Sequence, residues 1–197
     1  MHGGAAYKLL ASLVVPRPVA WVTSIDIETG TVNVAPFSFF NLLGADPPLV
    51  ALGISPAKSN GEPKDTGRNL SHGRAGFVVH LVDEAHADAM NTTAAELPAH
   101  ESEAHTAGLT LAETVKVSPV PRIASAPAAL ECRVLQVVTA GNNRVVLGEV
   151  VYVHLQDALW DGETGHVRTE SAHLVGRMHG GGWYTRTGDL FELHRPR

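Results

Sequence analysis

Cysteine is nearly absent from this chain of 197 residues. Cys132 is the only one, so a disulfide framework within the chain is excluded, and its apolar surroundings favour a small buried hydrophobe over a catalytic thiol. No uninterrupted apolar stretch approaches the roughly 18 residues that a membrane-spanning helix needs. The opening MHGGAAYKLL has no cationic region before its short apolar run, as a secretory signal would. These absences predict a cytoplasmic soluble protein with no membrane partner.

Blocks of basic residues are absent as well. The net charge is −5 and charged residues make up 18% of the chain, and no long run of like charges occurs, so nothing predicts a nucleic-acid partner. Hydrophobic residues make up 44%, which is enough to bury a full core. The length fits one large domain or a tight pair of domains.

The common catalytic and nucleotide-binding motifs are missing. There is no GxGxxG after a strand, no GxxxxGK[ST] and no GxSxG, which excludes the usual dinucleotide, triphosphate and serine-hydrolase signatures. Eleven histidines are present, but His100 and His105 are five positions apart and lack the HExxH spacing of zinc enzymes. We therefore predict structural or surface roles for the histidines and no metal site.

Strand patterns dominate what is there. Pro18–Ile25 and Thr31–Pro36 flank a turn at 26–30 and predict a hairpin. Pro47–Ser55 is continuously apolar, which predicts a strand buried on both faces. Further strands are predicted over 75–82, 128–138 and 144–156, the last two joined as a hairpin by TAGNN. Hairpin-paired strands predict a mainly β chain, an antiparallel β-barrel with short helices, and not a βαβ sheet.

Two short helices and one irregular stretch interrupt the strands. A helix is predicted over 65–73, with Asp65 or Thr66 as its N-cap and Gly73 at its end. A second helix, with an acidic first turn, is predicted over 83–94. The polar stretch from Glu96 to Thr114 is predicted to be a surface excursion.

One constellation of polar and aromatic residues suits a ligand. WVTS supplies Thr23 and Ser24 at a strand end, and NVAPFSFFN (33–41) supplies asparagine, serine, backbone amides and an apolar wall. The loop SPAKSNGEPKDTGRN (55–69) supplies hydroxyls and lysines at a helix start, as a phosphate monoester requires. A flat wall beside a phosphate site fits flavin mononucleotide (FMN).

Several segments together resemble one known family. They are YKLLASLVVPRPVAWVTS, VNVAPFSFFNLLGADPPLVAL, GEPKDTGRNL, GFVVHLV, MNTTA, LECRVLQVV, LGEVVYVHL and GGGWYTRTGDLFEL, which cover nearly the whole chain. The pair APFSFFN…PP and PKDTxRN is the most specific. The chain is similar to the flavin reductase-like, FMN-binding split-barrel family and, within it, to the flavoredoxin-like branch.

The resemblance implies a Greek-key antiparallel six-stranded split barrel, a single domain over 1–197, an obligate homodimer and FMN near the dimer interface. It places Ala35–Phe40 along the flavin ring and the loop around Lys58 and Asp65 at the phosphate and ribityl chain. Relatives often carry an arginine just after Ser55; here Lys58 stands near that position and cannot form a bidentate fork. The full set of predicted cofactor-binding residues is Thr23, Ser24, Asn33, Ala35, Pro36, Phe37, Ser38, Phe39, Phe40, Ser55, Lys58, Lys64, Asp65, Thr66 and Asn69.

The predicted function is an FMN-dependent oxidoreductase. NADH or NADPH would be a transient electron donor, and the acceptor would be oxygen, free flavin, a partner oxygenase or another redox protein. No side chain is assigned as a catalytic acid or base, because the cofactor carries the chemistry. Three alternatives stay open: a non-enzymatic FMN-binding electron carrier, a metal-dependent hydrolase built on the histidines, and a structural dimer that has lost its flavin.

Overall fold

The structure is a computed structural model that describes residues 3–55, 57–71, 73–194 and 196. Within these ranges no helix is both long and apolar enough to cross a membrane. Position 72, in the helix predicted over 65–73, lies outside the described residues.

Strands outnumber helices in the described part of the chain. The α-helices there are α1 (Gly3–Leu13), α2 (Asp65–Asn69), α3 (Ala87–Thr92) and α4 (Glu103–Thr106), and short 3-10 helices cover Glu84–His86, Asp157–Leu159 and Thr169–Ala172. The strands are β1 (Arg17–Pro18), β2 (Ala20–Ile25), β3 (Val32–Phe37), β4 (Phe40–Ala45), β5 (Pro48–Ile54), β6 (Gly76–His80), β7 (Leu111–Ala112), β8 (Arg122–Ile123), β9 (Ala128–Ala140), β10 (Asn143–Leu155), β11 (Trp160–Asp161), β12 (His166–Val167), β13 (Val175–Arg177) and β14 (Tyr184–Arg186). The prediction of a mainly β chain with short helices is confirmed.

One antiparallel sheet organises the fold. Its seven strands run in the order β3-β2-β6-β9-β10-β5-β4. The outermost strands, β3 and β4, are separated in the chain by only Ser38 and Phe39, so the sheet must curl until its two edges meet at this corner. At this corner Phe39 O accepts a hydrogen bond from Gly53 N of β5 (2.7 Å). The concave face encloses a core that includes Leu52, Phe77 and Val146.

The predicted six-stranded barrel is corrected to a sheet of seven strands. The additional strand is β4, in a stretch after Pro36 for which the sequence predicted no strand. Its alternation is hidden because the β4–β5 register shifts between Leu42 and Gly44, and Leu42 and Leu43 are both exposed. A bulge of this kind breaks the period of two on which strand prediction relies.

Strand β5 also differs from its prediction. Val50, Leu52 and Ile54 are buried while the residues between them are only partly so, and the strand is therefore covered on one face. The hairpin of β9 and β10 is confirmed: two residues join Ala140 to Asn143, and Gly141 takes the positive φ of +61° that such tight turns need.

The stretch predicted as a surface excursion contains part of the interior. Within it, α4 buries Glu103 and Ala104, and β7 pairs with β8 through Leu111 and Ile123. The prediction of a surface excursion over Glu96–Thr114 is wrong for Glu103 and Ala104, which are buried, and for Leu111, which is half-buried against the core. The prediction relied on the polar composition of the stretch. Glu103 can nevertheless be buried, because its carboxylate accepts a hydrogen bond from the backbone N–H of Val34 in β3.

A buried arginine joins the two ends of the chain. Arg17 Nη1 donates to the carbonyl oxygens of Ala11 (2.6 Å) and Val14 (2.9 Å) at the end of α1. Its Nη2 donates to Met178 O (3.0 Å) and its Nε to Ser38 Oγ at the sheet corner (3.3 Å). Cations are favourable near a helix C-terminus, so this one residue links α1, the corner and the carboxyl-terminal strands.

Candidate functional site

A cleft of about 240 Å³ lies beside the outer edge of β3. Three parts of the chain line it: the end of β3, Lys58 with the helix start at 64–66, and the segment 93–97. Glu103 of α4 lines it as well. Strand β3 is the first in the order of its sheet, so one side of its backbone faces the cleft. On this side Val34 N–H donates to Glu103 Oε2 (2.9 Å). The next residue that faces this side is Pro36, which has no N–H group and so leaves no donor unpaired.

Eight of the predicted residues meet in this cleft. They are Asn33, Ala35, Pro36, Phe37, Lys58, Lys64, Asp65 and Thr66. A direct hydrogen bond joins the two sides, because Asn33 Nδ2 donates to Thr66 Oγ1 (2.8 Å). The hydroxyl hydrogen of Thr66 is then free to donate elsewhere.

The other seven predicted residues do not line the cleft. Thr23 is buried and donates to Pro121 O (2.6 Å), Ser24 Oγ accepts from Asn69 Nδ2 (3.1 Å), and Ser38 accepts from Arg17. These bonds hold β2, α2 and the sheet corner in place. The remaining three lie at that corner or beyond β5: Phe39 is 48% exposed beside Tyr7, Phe40 packs against the core, and Ser55 is exposed.

Lys58 is buried and already paired. Its Nζ lies 2.6 Å from Asp65 Oδ2, with both side chains less than a tenth exposed, and it donates to Leu97 O (2.9 Å). Asp65 Oδ1 has Arg68 Nη2 at 2.9 Å but in a direction that makes no hydrogen bond. Oδ1 is thus ion-paired with Arg68 but accepts no hydrogen bond, and a donor such as a hydroxyl group would satisfy it.

The predicted N-cap of α2 is wrong. Lys64 occupies the cap position without a side-chain cap, and Asp65 and Thr66 lie inside the first turn. Their side chains face the cleft and are hydrogen-bonded or ion-paired to Asn33 and Lys58. Asp65 and Thr66, which were predicted to cap the helix, therefore make tertiary contacts in the site instead.

A tight turn holds Ser59 against Glu96, a residue that lines the cleft, although Ser59 itself does not line it. Lys58 N donates to Glu62 O (2.7 Å) and Gly61 N donates to Lys58 O (3.0 Å). Gly61 has a φ of +88°, a conformation that suits glycine. This turn directs both donors of Ser59, its N–H and its hydroxyl, to the Glu96 carboxylate.

Glu96 receives three donors. Its Oε2 accepts from Ser59 N (2.9 Å) and Ser59 Oγ (2.5 Å), and its Oε1 accepts from Lys64 Nζ (3.0 Å). The Ser59 hydroxyl, the Ser59 N–H and the Lys64 ammonium lower the pKa of the Glu96 carboxyl to about 2, because all three favour the charged form. At neutral pH this is a bound anion inside the site.

Glu103 lies deeper and behaves differently. Burial raises the pKa of its carboxyl, since desolvation disfavours the charged form. Sequence reasoning missed Ser59, Glu96 and Glu103 as site residues. No local signal marks the two glutamates, because their partners lie 37 and 69 positions away in the chain.

Three histidines are hydrogen-bonded within the framework. His80 is buried between Trp21 O (2.7 Å from Nδ1) and Ile123 N (2.9 Å from Nε2), and burial lowers its pKa to about 4. His86 lies between Asp83 and Ser125, and His154 contacts Glu131. Among the described residues no group of three or more His, Cys, Asp or Glu side chains could hold a metal ion.

Comparisons with known proteins agree on one family. The sequence profile of the "Flavin reductase like domain" family matches residues 12–170. An uncharacterised protein of Deinococcus radiodurans is 48% identical over 97% of this chain and 85% of its own.

Two solved structures are similar over nearly their whole length. Pseudomonas fluorescens 2-nitrobenzoate 2-nitroreductase is 34% identical, with a TM-score of 0.87 over 100% of this chain and 93% of that one. Nitrilotriacetate monooxygenase component B from Bacillus cereus is 36% identical, with a TM-score of 0.88 over 98% of this chain and 95% of that one. The chain therefore belongs to the flavin reductase-like family of split-barrel flavoproteins.

Proposed function

We propose that this protein binds FMN in the cleft beside β3 and transfers electrons from NADH or NADPH to an acceptor. The observation that carries the proposal is the convergence of the Ser59 N–H, the Ser59 hydroxyl and the Lys64 ammonium on a single anion. These are the donors that a phosphate monoester requires. Lys64 and Glu96 line the same cleft as Ala35–Phe37, and Ser59 adjoins it through its bonds to Glu96, so a phosphate site would lie beside an apolar surface.

Each part of the cofactor has matching residues in the cleft. Ser59 and Lys64 would hold the phosphate, while Asp65 Oδ1 and the Thr66 hydroxyl would meet ribityl hydroxyls as acceptor and donor. Ala35, Pro36 and Phe37 would flank the ring, and Asn33 orients Thr66. Of the predicted residues outside the cleft, Ser24 and Asn69 support it from behind by fixing α2 against β2.

Bound FMN would supply the redox chemistry, accepting a hydride and passing electrons on. The protein's own residues bind, orient and exclude water, and none is assigned as an acid or base. Lys58 contributes through Asp65 and Leu97, which it holds in place.

The acceptor is proposed from the relatives. One similar structure is a 2-nitrobenzoate 2-nitroreductase and another is a monooxygenase component, so we propose a small oxidant or a partner oxygenase as the physiological acceptor. Steady-state turnover with oxygen, free FMN and 2-nitrobenzoate, each tested alone, would rank the acceptors.

We expect freshly purified protein, or protein reconstituted with FMN, to show absorption bands near ~370 and ~450 nm. Addition of NADH or NADPH without oxygen should bleach the 450 nm band, and the nucleotide that bleaches faster is the donor. The control is free FMN at the same concentration, which isolates the contribution of the protein.

The second candidate, an electron carrier, differs in one outcome. It predicts the same bands without bleaching by either nucleotide, but with bleaching by a chemical reductant. If neither FMN nor FAD binds after reconstitution, the cofactor site proposed here is wrong.

We also propose that the whole chain, 1–197, forms one domain. The family profile ends at residue 170, but the later strands β13 and β14 join β1 in one sheet, with Arg17 paired to Arg177 and Arg177 to Tyr184. The two ends of the chain therefore depend on each other.

We propose that the protein is a homodimer. Large apolar side chains are exposed together along α1 and β4: Leu13 is 69% exposed, Leu42 64% and Leu43 58%. Contiguous apolar surface of this kind marks an interaction site in a soluble protein. Tyr7 of α1 and Phe39 at the sheet corner are in edge contact, which makes the helix and the corner one surface.

Sedimentation velocity at micromolar concentration should give about twice the chain mass of 20.9 kDa. Replacing both Leu42 and Leu43 by aspartate should shift the protein to monomer. The same substitution at Ile27, which is 82% exposed in the turn between β2 and β3, should leave the dimer intact. A monomeric wild-type protein would refute the proposal.

A further inference from the structure

Glu96 occupies the position that the proposed site offers to a phosphate. Its carboxylate takes the Ser59 N–H, the Ser59 hydroxyl and the Lys64 ammonium. A carboxylate and a phosphate monoester are both oxyanions that select such donors. A group of the chain itself therefore uses the donors that an external anion would need.

The charges around the cleft prevent the Glu96 carboxylate and a ligand phosphate from occupying the same donors together. Lys58 is paired with Asp65 and Lys64 with Glu96, and Glu103 lines the same cleft. Each lysine is thus already neutralised by a carboxylate. If a phosphate entered while Glu96 stayed in place, neither Lys58 nor Lys64 would be free to pair with it. The Glu96 carboxylate would also repel it at close range.

The local structure allows Glu96 to leave without disturbing the wall. Residues 96–98 have no regular secondary structure, and the Glu96 side chain is about one third exposed. The segment is fixed on both sides of this residue: Trp21 Nε1 donates to Thr93 Oγ1 (2.8 Å) and Lys58 Nζ to Leu97 O (2.9 Å). A rotation of the Glu96 side chain alone would therefore move the carboxylate towards water while the bonds of Thr93 and Leu97 stay in place.

We propose that Glu96 is a built-in competitor for the phosphate of the ligand: it fills the phosphate subsite in the free protein and must be displaced when a phosphorylated flavin binds. This inference rests on the proposed function. It adds that the affinity for phosphorylated ligands is limited by an internal anion, and that Glu96 sets how strongly the site distinguishes a flavin with a phosphate from one without.

The test compares FMN with riboflavin, which has the same ring and ribityl chain but no phosphate. Glu96→Gln keeps the size of the side chain and removes its charge. We expect the dissociation constant for FMN, measured by quenching of flavin fluorescence, to fall about tenfold or more, as expected when a charge-assisted contact no longer competes. The dissociation constant for riboflavin should be unchanged.

A matched variant separates a local effect from a general change of charge. Glu62→Gln removes a charge from the same loop, and Glu62 is exposed and contacts Asn60 but not Ser59 or Lys64. It should leave both dissociation constants unchanged. Equal tightening of FMN and riboflavin in Glu96→Gln, or weaker binding of FMN, would overturn the proposal, since Glu96 would then act on the whole ligand or help to hold it.

Inorganic phosphate gives a readout that needs no flavin. It should raise the thermal midpoint of Glu96→Gln and have little effect on the wild-type protein, because binding to the folded state alone stabilises it. If neither FMN nor riboflavin binds the wild-type protein, the proposed function fails. The phosphate result then still decides the role of Glu96: a shift confined to the variant supports displacement, and equal shifts in both proteins contradict it.

Discussion

Replacing Lys58 by methionine is expected to lower the free energy of unfolding by about 3 kcal/mol, as is typical when one partner of a buried ion pair is removed. The Lys58 and Asp65 side chains are 7% and 9% exposed and their charged atoms are 2.6 Å apart. Methionine fills similar space without the charge, so the buried Asp65 carboxylate would keep only the partly exposed Arg68, with Nη2 2.9 Å from Oδ1, as a cationic neighbour. Urea denaturation of the flavin-free protein, followed by circular dichroism, measures the loss.

Two further variants identify the cause. Lys58→Met combined with Asp65→Asn removes both charges and should recover much of the stability, because no buried ion is left unpaired. Lys64→Met breaks the more exposed pair with Glu96 and should cost much less. If Lys58→Met costs no more than Lys64→Met, Lys58 is not the structural cation that its contacts indicate.

The second large effect is expected at Glu131, a fully buried carboxylate on β9. It accepts from the N–H groups of Val115 (2.7 Å) and Lys116 (2.6 Å) and lies 2.6 Å from His154 Nε2. Glu131→Ala would leave these donors unsatisfied and open a cavity, so the free energy of unfolding should fall by about 3 kcal/mol or more. Glu131→Gln, which keeps the shape and one acceptor oxygen, should lose clearly less.

The same carboxylate gives stability a defined pH dependence. Burial by itself would raise the pKa of Glu131, but the N–H of Val115 and the imidazole of His154 outweigh it and hold the pKa below the ordinary value of 4.5. A carboxyl with a lowered pKa in the folded state stabilises fully above its unfolded pKa and loses that contribution as the pH falls through the folded pKa. The advantage of wild-type protein over Glu131→Gln should therefore be constant above about pH 5 and shrink below about pH 4.5. An advantage that grows in acid would contradict this assignment.

The strands that sequence predicted correctly are those whose information is local. The hairpin of β9 and β10 has long apolar runs and a tight turn at Gly141, and the β2–β3 hairpin has the same signals around Gly30. Strand β4 was missed because a bulge at Leu42–Gly44 breaks its alternation. Leu42 and Leu43 are also both exposed, so β4 lacks the alternation of buried and exposed residues that strand prediction uses.

The residues of the site likewise fall into those with a local sequence signal and those without one. The loop and helix start around Lys58 and Asp65 were predicted from a short run of residues, and these residues do meet the end of β3. Glu96 and Glu103 were not predicted, because their importance lies in partners far away in the chain. The capping prediction for α2 failed for a related reason: Asp65 and Thr66 are used by tertiary contacts, which override local helix preferences.

The contacts that frame the cleft also bear on the order in which the molecule is assembled. The bond between Asn33 and Thr66 spans 33 positions, that between Ser59 and Glu96 spans 37, and that between Val34 and Glu103 spans 69, whereas β9 and β10 close over two residues. Closing a longer loop costs more chain entropy, so non-local contacts form late in folding. The pairing of β5 with β10 is also non-local, since Ile54 pairs with Arg144 and Leu49 with Glu149. The sheet and the cleft would therefore both be completed after the β9–β10 hairpin, and a flavin would meet an almost finished fold. Its effect would be to retain the folded chain by mass action, and not to act as a template for it.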